Sequence, residues 1–217
     1  MQFSQLPRRT RALTLIEVLV VVAVLVLVAV LALSYLSEAR RNVLRLDCVM
    51  YLKNDGLAIR VWAGDHNDHR PQNLSVANGG AKEFLAAGNV ASYFQVMSND
   101  SFMPFDLTCP VDRGCTIAKS FATLKNTNID YFVSPNPDNS QPNAIMFGDD
   151  NLMVDGTPIK SGVMNLWTNR SIAWTNQRHR LAGDVALFDG SVALASNAGL
   201  TNLVAEPGTA TNMVVIP

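Results

Sequence analysis

A single carboxylate, Glu17, interrupts a long apolar run, and it is the residue whose type and position predict the most chemistry. The run from Leu13 to Leu33 is about as long as a helix needs to cross the hydrocarbon core of a bilayer. An acid deep in lipid costs about 2.5–3.5 kcal/mol on insertion scales. We therefore expect Glu17 to have a partner that the apolar run cannot supply. A neighbouring protein would provide the positive charge, or cleavage would create one nearby.

Four polar residues late in the chain could form a catalytic cluster, with Ser191 as nucleophile: His179, Asp184, Asp189 and Ser191. No GxSxG elbow, HExxH motif or phosphate-binding loop accompanies them. Asp189-Gly190 instead lies between two alternating apolar runs, which predicts a hairpin with a type I′ turn. We therefore predict a structural turn at His179, Asp189 and Gly190, with His179 capping or packing beside it, and no enzymatic activity.

Cysteine spacing allows one short disulfide. Cys109 and Cys115 bracket the segment PVDRG, and a small disulfide-closed loop suits an exported domain. Cys48 falls on a predicted helix, where we expect a buried, small apolar residue. We expect no zinc site, because no second Cys/His pair follows with ligand spacing.

Composition fits one anchored domain. The chain has 217 residues, of which 48% are hydrophobic and 16% charged, and its formal net charge is -1. Roughly 150–180 residues remain outside the apolar run, enough for one core. Arg8, Arg9 and Arg11 precede the run, and without these three positive charges the net charge falls to about -4. This balance indicates no nucleic-acid partner.

The apolar run continues into an amphipathic helix. Apolar residues recur at three- and four-residue steps after it, which predicts a one-sided stripe: Leu36, Ala39, Val43, Leu46, Met50, Leu57 and Val61. We expect the helix to end near Gly64, where turn-forming residues precede Pro71. We expect its first half to meet lipid or other subunits and its second half to pack against the exported domain.

The remaining chain predicts a mixed domain. AKEFLAAGNVASYFQVMS predicts one or two short helices, and from residue 129 strand-like segments dominate: IDYFV, NAIMF, NLMV, SIAWT and DVALFDGSVALA. The final ATNMVVIP predicts an edge strand. One long helix laid on a small antiparallel sheet is the α+β arrangement that this order favours.

The amino-terminal charge pattern favours retention of this end in the cytoplasm. A secretory signal peptide would have a shorter apolar core with its cleavage site after it. A simple single-pass anchor remains an alternative, but it leaves Glu17 and the TLIE string unexplained.

The string RALTLIEVLVVVAVL resembles the type III signal of prepilins and pseudopilins. That resemblance implies cleavage between Ala12 and Leu13 by a prepilin peptidase, N-methylation of Leu13, and an assembly role for Glu17 as the fifth mature residue. Ala12 and Leu13 replace the usual Gly and Phe. The implied segments are a leader at 1–12, a transmembrane and filament-core helix at 13–33, the exported half of the helix at 34–64, and a periplasmic pilin-like domain at 65–217.

Later blocks narrow the resemblance. His179 lies ten residues before Asp189-Gly190, similar to the H-x9-DG ending of pseudopilin-like proteins of planctomycetes and verrucomicrobia. CVMYLKNDGLAIRVWAGDHND, FQVMSND and LTCPVD resemble blocks of type II secretion pseudopilins.

This resemblance implies a structural subunit of a type II secretion pseudopilus. It would be anchored once in the inner membrane with its carboxy-terminal domain in the periplasm. The implied partners are other copies and other pseudopilins, the prepilin peptidase and the inner-membrane secretion platform. A type IV pilus subunit for adhesion, motility or DNA uptake is the first alternative, and a membrane-anchored enzyme or binding domain is the second.

Some secretion pseudopilins hold a structural Ca²⁺, and this chain has a segment rich in oxygen ligands. Asp149, Asp150, Asn151 and Asp155 crowd GDDNLMVDG and offer the hard ligands that Ca²⁺ prefers. An ordinary Asp/Asn/Gly-rich turn is the competing interpretation. No other cofactor is expected.

Overall fold

The computed structural model describes residues 14–99, 102–112, 114–135, 142–166, 170–205 and 213–217, and shows an α+β chain. Helix α1 runs from Leu15 to Asp65 without a break. It ends within one residue of the predicted position, because Asn67 and Asp68 adopt left-handed backbone (φ 55° and 60°) that stops the helix. The prediction of one long amino-terminal helix is confirmed.

The chain divides into two compact units, Met1–Asn42 and Val43–Pro217. In the first unit, every described residue is exposed in the single chain. Among the described residues, α1 is the one helix long and apolar enough to cross a membrane by length and composition. The second unit begins inside α1, so the later part of this helix belongs to the folded domain.

The described residues of the second unit form two antiparallel sheets and three further helices. The larger sheet has six strands in the order β5-β9-β1-β2-β7-β8, and the smaller has the order β4-β3-β6. The strands are β1 (Tyr131–Val133), β2 (Ile145–Asp149), β3 (Leu152–Val154), β4 (Thr157–Pro158), β5 (Gly162–Asn165), β6 (Ile172–Trp174), β7 (Ala182–Leu187), β8 (Val192–Ser196) and β9 (Met213–Ile216). The helices are α2 (Lys82–Ala86), α3 (Val90–Val96) and α4 (Asn197–Ala205), and short 3₁₀ turns lie at Pro71–Asn73, Val76–Asn78, Pro104–Leu107, Phe121–Thr123 and Asn126–Asn128.

The larger sheet has a hydrophobic cluster on each side. Side chains alternate along β1, so Tyr131 and Val133 join the cluster that contains α1, whereas Phe132 joins the cluster with the smaller sheet and α4. Residues of α2 and α3 belong to the first cluster. Because both faces of β1 and β2 are covered, these strands are buried along their whole length.

The part of α1 in the second unit buries a face other than the predicted stripe. Its buried residues are Cys48, Leu52, Asp55, Gly56, Ala58, Ile59, Trp62 and Ala63. At 3.6 residues per turn these lie on the opposite side from the stripe. Met50 is 50% exposed and Leu57 is 55% exposed. The expectation that the second half packs on the domain is confirmed, but the stripe of Val43, Leu46, Met50, Leu57 and Val61 remains exposed, and we call it the outer stripe.

One further expectation from the sequence differs from the structure, and two elements are not predicted. The final strand β9 lies between β5 and β1, so it is an interior strand and not an edge. The sequence also gives no signal for strand β5 or helix α4. The sequence of β5, GVMN, is too short to show a period, and α4 follows β8 directly with Asn and Gly in its first turn.

Candidate functional sites

The carboxylate of Glu17 forms a capping box at the start of α1. Its Oε2 accepts hydrogen bonds from the Thr14 backbone N–H at 2.8 Å and from Thr14 Oγ1 at 2.9 Å. The Glu17 backbone N–H in turn donates to Thr14 Oγ1 at 3.4 Å, which makes the arrangement reciprocal.

The expectation that nothing in the run can partner Glu17 is therefore wrong for the single chain. Thr14 supplies two donors but no positive charge, so among the described residues the carboxylate is hydrogen-bonded without being paired to a cation. The predicted processing residues Ala12 and Leu13 lie outside the described residues, immediately before Thr14.

The disulfide prediction is wrong. Cys109 is joined to Cys48 of α1, and Cys115 is a free cysteine. Cys48 is buried as expected, but as half of a cystine and not as a small apolar residue. Sequence proximity favours Cys115, whereas Cys48 lies 61 residues from Cys109 and reaches it because α1 crosses the first hydrophobic cluster.

His179 lies beside this disulfide and not beside the hairpin turn. Its Nε2 is 3.4 Å from Cys109 Sγ, 3.4 Å from Asp149 Oδ2 and 3.8 Å from Asp184 Oδ2. Asp149 Oδ2 also accepts a hydrogen bond from the Asp184 backbone N–H at 2.8 Å. We call Cys48, Cys109, Asp149 and His179 the cystine–histidine cluster; all four are buried.

Burial sets the protonation of these groups. Desolvation lowers the pKa of His179 to about 4, assisted by the nearby positive charges of Arg45 and Arg178. Desolvation raises the pKa of Asp149 to about 8, against a lowering hydrogen bond from Asp184, and raises the pKa of Asp184 to about 6. His179 is therefore a neutral imidazole at pH 7.

Arg178, the neighbour of His179, binds three carboxylates. Its Nη1 lies 2.7 Å from Asp150 Oδ1, its Nη2 lies 2.8 Å from Asp130 Oδ1 and its Nε lies 3.0 Å from Asp112 Oδ2. Burial alone would lower the pKa of Arg178, but Asp150 and Asp130 more than offset this and raise it. We call these four residues the Arg178 cluster.

A strained turn presents Arg178 and His179 to their partners. The next two residues, Arg180 and Leu181, both have positive φ (55° and 62°). This backbone costs about 1–3 kcal/mol per non-glycine residue and persists only where surrounding contacts determine it. The ion pairs of Arg178 on one side and strand β7 on the other supply those contacts.

Asp189 and Gly190 form the predicted β7–β8 hairpin, but with a different turn. Gly190 has φ 85°, while Asp189 has no positive φ, so a type I′ turn is excluded. The Gly190 N–H donates to the Leu187 carbonyl and the Leu187 N–H to the Ser191 carbonyl, which is the three-residue loop with a left-handed third residue. Asp189 Oδ1 accepts from the Ser191 N–H at 2.7 Å.

The residues considered for catalysis are separated. His179 and Asp184 lie near the start of β7, whereas Asp189 and Ser191 lie in the turn beyond its other end. Ser191, the serine considered as nucleophile, therefore does not lie beside His179.

The calcium candidates do not form one ligand set. Asp149 faces His179, Asp150 binds Arg178, and the exposed Asp155 binds Arg170 Nε at 2.8 Å. Asp149 groups with the two cysteines and the histidine, not with Asp150 or Asp155. Calcium binding stays a prediction, and the arginine already provides the positive charge beside Asp150.

Sequence reasoning misses Cys48 as a disulfide partner and Arg178 as a hub. Arg178 precedes His179 in a polar stretch without a recognisable motif, and its partners come from three separate segments. The one sequence signal for these two features is the block LTCPVD, which contains Cys109 of the disulfide and Asp112 of the Arg178 cluster.

Comparison with known proteins finds one local match. Residues 7–33 match the family model "Prokaryotic N-terminal methylation motif". No curated protein and no solved structure matches the chain. The matched segment contains Ala12, Leu13 and Glu17 and extends into α1, and the long helix followed by antiparallel sheets fits it. The chain therefore carries the N-terminal signal of type IV pilins and pseudopilins.

Proposed function

We propose that this chain is a structural filament subunit, cleaved between Ala12 and Leu13, N-methylated on Leu13 and polymerised through α1. The observation that carries the proposal is the methylation motif at residues 7–33, which leads directly into a 51-residue helix. The motif indicates a structural subunit and not an enzyme. Prepilin peptidase and other pilin-like subunits are its expected partners.

Glu17 would select the neighbouring subunit. Cleavage leaves a cationic secondary amine four residues before it, and the amine of one copy can meet the Glu17 carboxylate of the next. The Thr14 hydrogen bonds hold the carboxylate at the start of the helix and bring no positive charge to it. Such a buried pair adds little net stability, but removing one partner costs about 3–5 kcal/mol. The pair would therefore set the register between neighbouring subunits and favour extraction of the subunit from the bilayer.

The outer stripe would contact a second copy of the chain. It is exposed in the folded unit although it is apolar, and it belongs to the same helix as the apolar run. A large exposed apolar surface commonly marks an interaction site. Helix-to-helix packing in a filament would cover the stripe without disturbing the opposite face, which holds the core.

Within this class we infer a pseudopilin of a type II secretion system, placed in the inner membrane with its folded domain in the periplasm. The blocks around Cys48, Cys109 and His179 support this inference through their resemblance to secretion pseudopilins. In the native host, deletion of the chain should abolish export of folded proteins and leave surface pili intact. The reverse phenotype would overturn this assignment and favour a pilus subunit.

Substitution of Glu17 tests the filament role itself. We expect Glu17→Val to insert in the membrane and to be processed, and to form few or no filaments by electron microscopy. Glu38→Gln is the matched control, because Glu38 lies on the same helix and pairs with Arg41; it should assemble normally. Normal filaments from Glu17→Val would contradict the role of the carboxylate.

A further inference from the structure

The cystine–histidine cluster gathers four ligand atoms from four distant parts of the chain. Cys48 comes from α1, Cys109 from the segment before β1, Asp149 from the end of β2 and His179 from the turn before β7. Two sulfurs, an imidazole nitrogen and a carboxylate oxygen all lie within 4.8 Å of one another. All four side chains are buried, so the cluster is an enclosed site and not a patch on the surface.

The separations between these atoms match a tetrahedral metal site. With zinc–sulfur bonds of about 2.3 Å and zinc–nitrogen or zinc–oxygen bonds of about 2.0–2.2 Å, neighbouring ligand atoms lie about 3.3–3.7 Å apart. Cys109 Sγ and His179 Nε2 are 3.4 Å apart, and His179 Nε2 and Asp149 Oδ2 are also 3.4 Å apart. Two of the edges of a tetrahedron are therefore already in place.

Unpaired polar atoms around the cluster provide an independent observation. Among the described residues, Asp149 Oδ1 and both carboxylate oxygens of Asp184 are buried with no hydrogen-bond partner. Native interiors contain few such atoms, and a bound ion accounts for some of them. Arg45 acts electrostatically on His179 and Asp184, and so would offset the negative charge of two thiolates and a carboxylate.

We propose that, when the Cys48–Cys109 disulfide is reduced, Cys48, Cys109, His179 and Asp149 bind one Zn²⁺ ion. A dithiol reductant gives two electrons to the disulfide and becomes a cyclic disulfide itself. The two thiols and the protonated Asp149 carboxyl then release their protons to water as they bind zinc, and the oxidation state of the metal does not change. Zinc accepts this mixture of sulfur, nitrogen and oxygen ligands.

The ion would replace the disulfide as the link between α1 and the sheet. With four protein ligands the site has no open position, so it is structural and not catalytic. The second unit would then have a cross-link at this point under either condition: the disulfide in oxidising surroundings and the zinc ion in reducing surroundings. This inference does not depend on filament assembly.

Metal binding by the full chain in detergent micelles tests the proposal. The chain is reduced with dithiothreitol, freed of reductant under anaerobic conditions and titrated with Co²⁺, followed by Zn²⁺. We expect one Co²⁺ per chain with the intense visible absorption of tetrahedral, thiolate-bound cobalt, and its loss when Zn²⁺ displaces it. The oxidised chain should give no such spectrum.

Variants separate this site from adventitious thiol binding. His179→Ala and Asp149→Asn should each weaken Co²⁺ binding at least tenfold, whereas Cys115→Ser, which removes the free thiol, should leave it unchanged. A reduced wild-type chain with no tetrahedral spectrum overturns the proposal, as does binding that His179→Ala and Asp149→Asn leave intact. If reduction unfolds the domain, zinc must restore its near-ultraviolet circular dichroism; failure to do so also overturns it. Because these measurements use the reduced wild-type chain with and without metal, they test the proposal even if a variant misfolds.

Discussion

The first part of α1 and the folded unit that contains its second part differ in how their charged side chains are paired. Before residue 43 every described side chain is exposed, and Glu17, the acid of the apolar run, accepts hydrogen bonds from the neutral donors of Thr14. From Cys48 onward the helix buries one face, and the Arg178 cluster forms its ion pairs inside the same unit. The first part therefore leaves its acid without a cation among the described residues, whereas the second unit pairs its buried arginine internally.

Mutations in the two regions should therefore have different effects. Changes in the first part should alter assembly while the domain stays folded. Changes in the second unit should alter its free energy of unfolding while processing and membrane insertion persist. In the second unit we therefore compare substitutions that remove an internal contact with substitutions at positions that lack it. We expect the largest effect on stability at Arg178 and the smallest effects at Gly64 and Asp55.

Loss of the Arg178 guanidinium should have the largest effect on stability. Arg178→Met leaves three carboxylates, two of them mostly buried, without their cation, and we expect a loss of about 5 kcal/mol, the upper end for a broken buried pair. Urea unfolding in micelles, followed by tryptophan fluorescence, measures it. Arg170→Met is the control, because the Arg170–Asp155 pair is half-exposed and should be worth at most about 1 kcal/mol. Equal effects would contradict the account of the Arg178 cluster.

Removal of the disulfide should be nearly as costly. Replacing both Cys48 and Cys109 with Ala frees a loop of 61 residues, which predicts a loss of about 4 kcal/mol when zinc is chelated. Cys115→Ser should change stability little. Peptide mapping without reductant should recover Cys48 linked to Cys109; a Cys109–Cys115 peptide would refute the pairing.

Two glycines should respond to alanine with opposite signs. Gly190→Ala places a Cβ at φ 85° and against the Arg60 guanidinium, so we expect a loss of about 1–2 kcal/mol. Gly64→Ala lies in α1 with no atom within 4 Å of the new Cβ, so we expect a gain of about 0.5–1 kcal/mol. Denaturant midpoints measure both. A stabilising Gly190→Ala would rule out a left-handed Gly190 in the β7–β8 hairpin.

A gain of similar size to that at Gly64 is expected at Asp55. This carboxyl is buried on α1 with no hydrogen-bond partner among the described residues, and desolvation raises its pKa well above 3.8, with Asp106 adding to the shift. Because the folded state then binds its proton more tightly than the unfolded state, Asp55 costs stability as pH rises above 3.8.

Asp55→Asn should remove that part of the pH dependence and stabilise the unit at pH 7 by about 1 kcal/mol. Thermal unfolding at several pH values between 4 and 8 measures the slope. An unchanged slope would show that the Asp55 carboxyl is not the source.

The strongest sequence signals describe single continuous elements. The apolar run with Glu17, the absence of proline and the terminal GDHND predict α1 nearly to the residue. The Asp189-Gly190 pair predicts the hairpin between β7 and β8. These features are local, because a helix end or a tight turn depends on residues close together in the chain.

Features assembled from distant segments cannot be predicted in the same way. Chain distance favours Cys115 over Cys48 as the partner of Cys109, and no two residues of the cystine–histidine cluster are close in sequence. The apolar stripe is visible in the sequence, but its exposure is not, because a helix with two apolar faces does not indicate which one packs inside its own domain. The buried face includes Asp55 and Gly56, which disguise it.

Mass spectrometry of the mature amino terminus tests the central claim most directly. If the chain is a processed filament subunit, the amino-terminal peptide from native membranes begins at Leu13 and carries one added methyl group. Deletion of the prepilin peptidase should leave the leader of residues 1–12 in place. A mature chain that begins at Met1 in cells with an active peptidase, without N-methylation, would contradict the account.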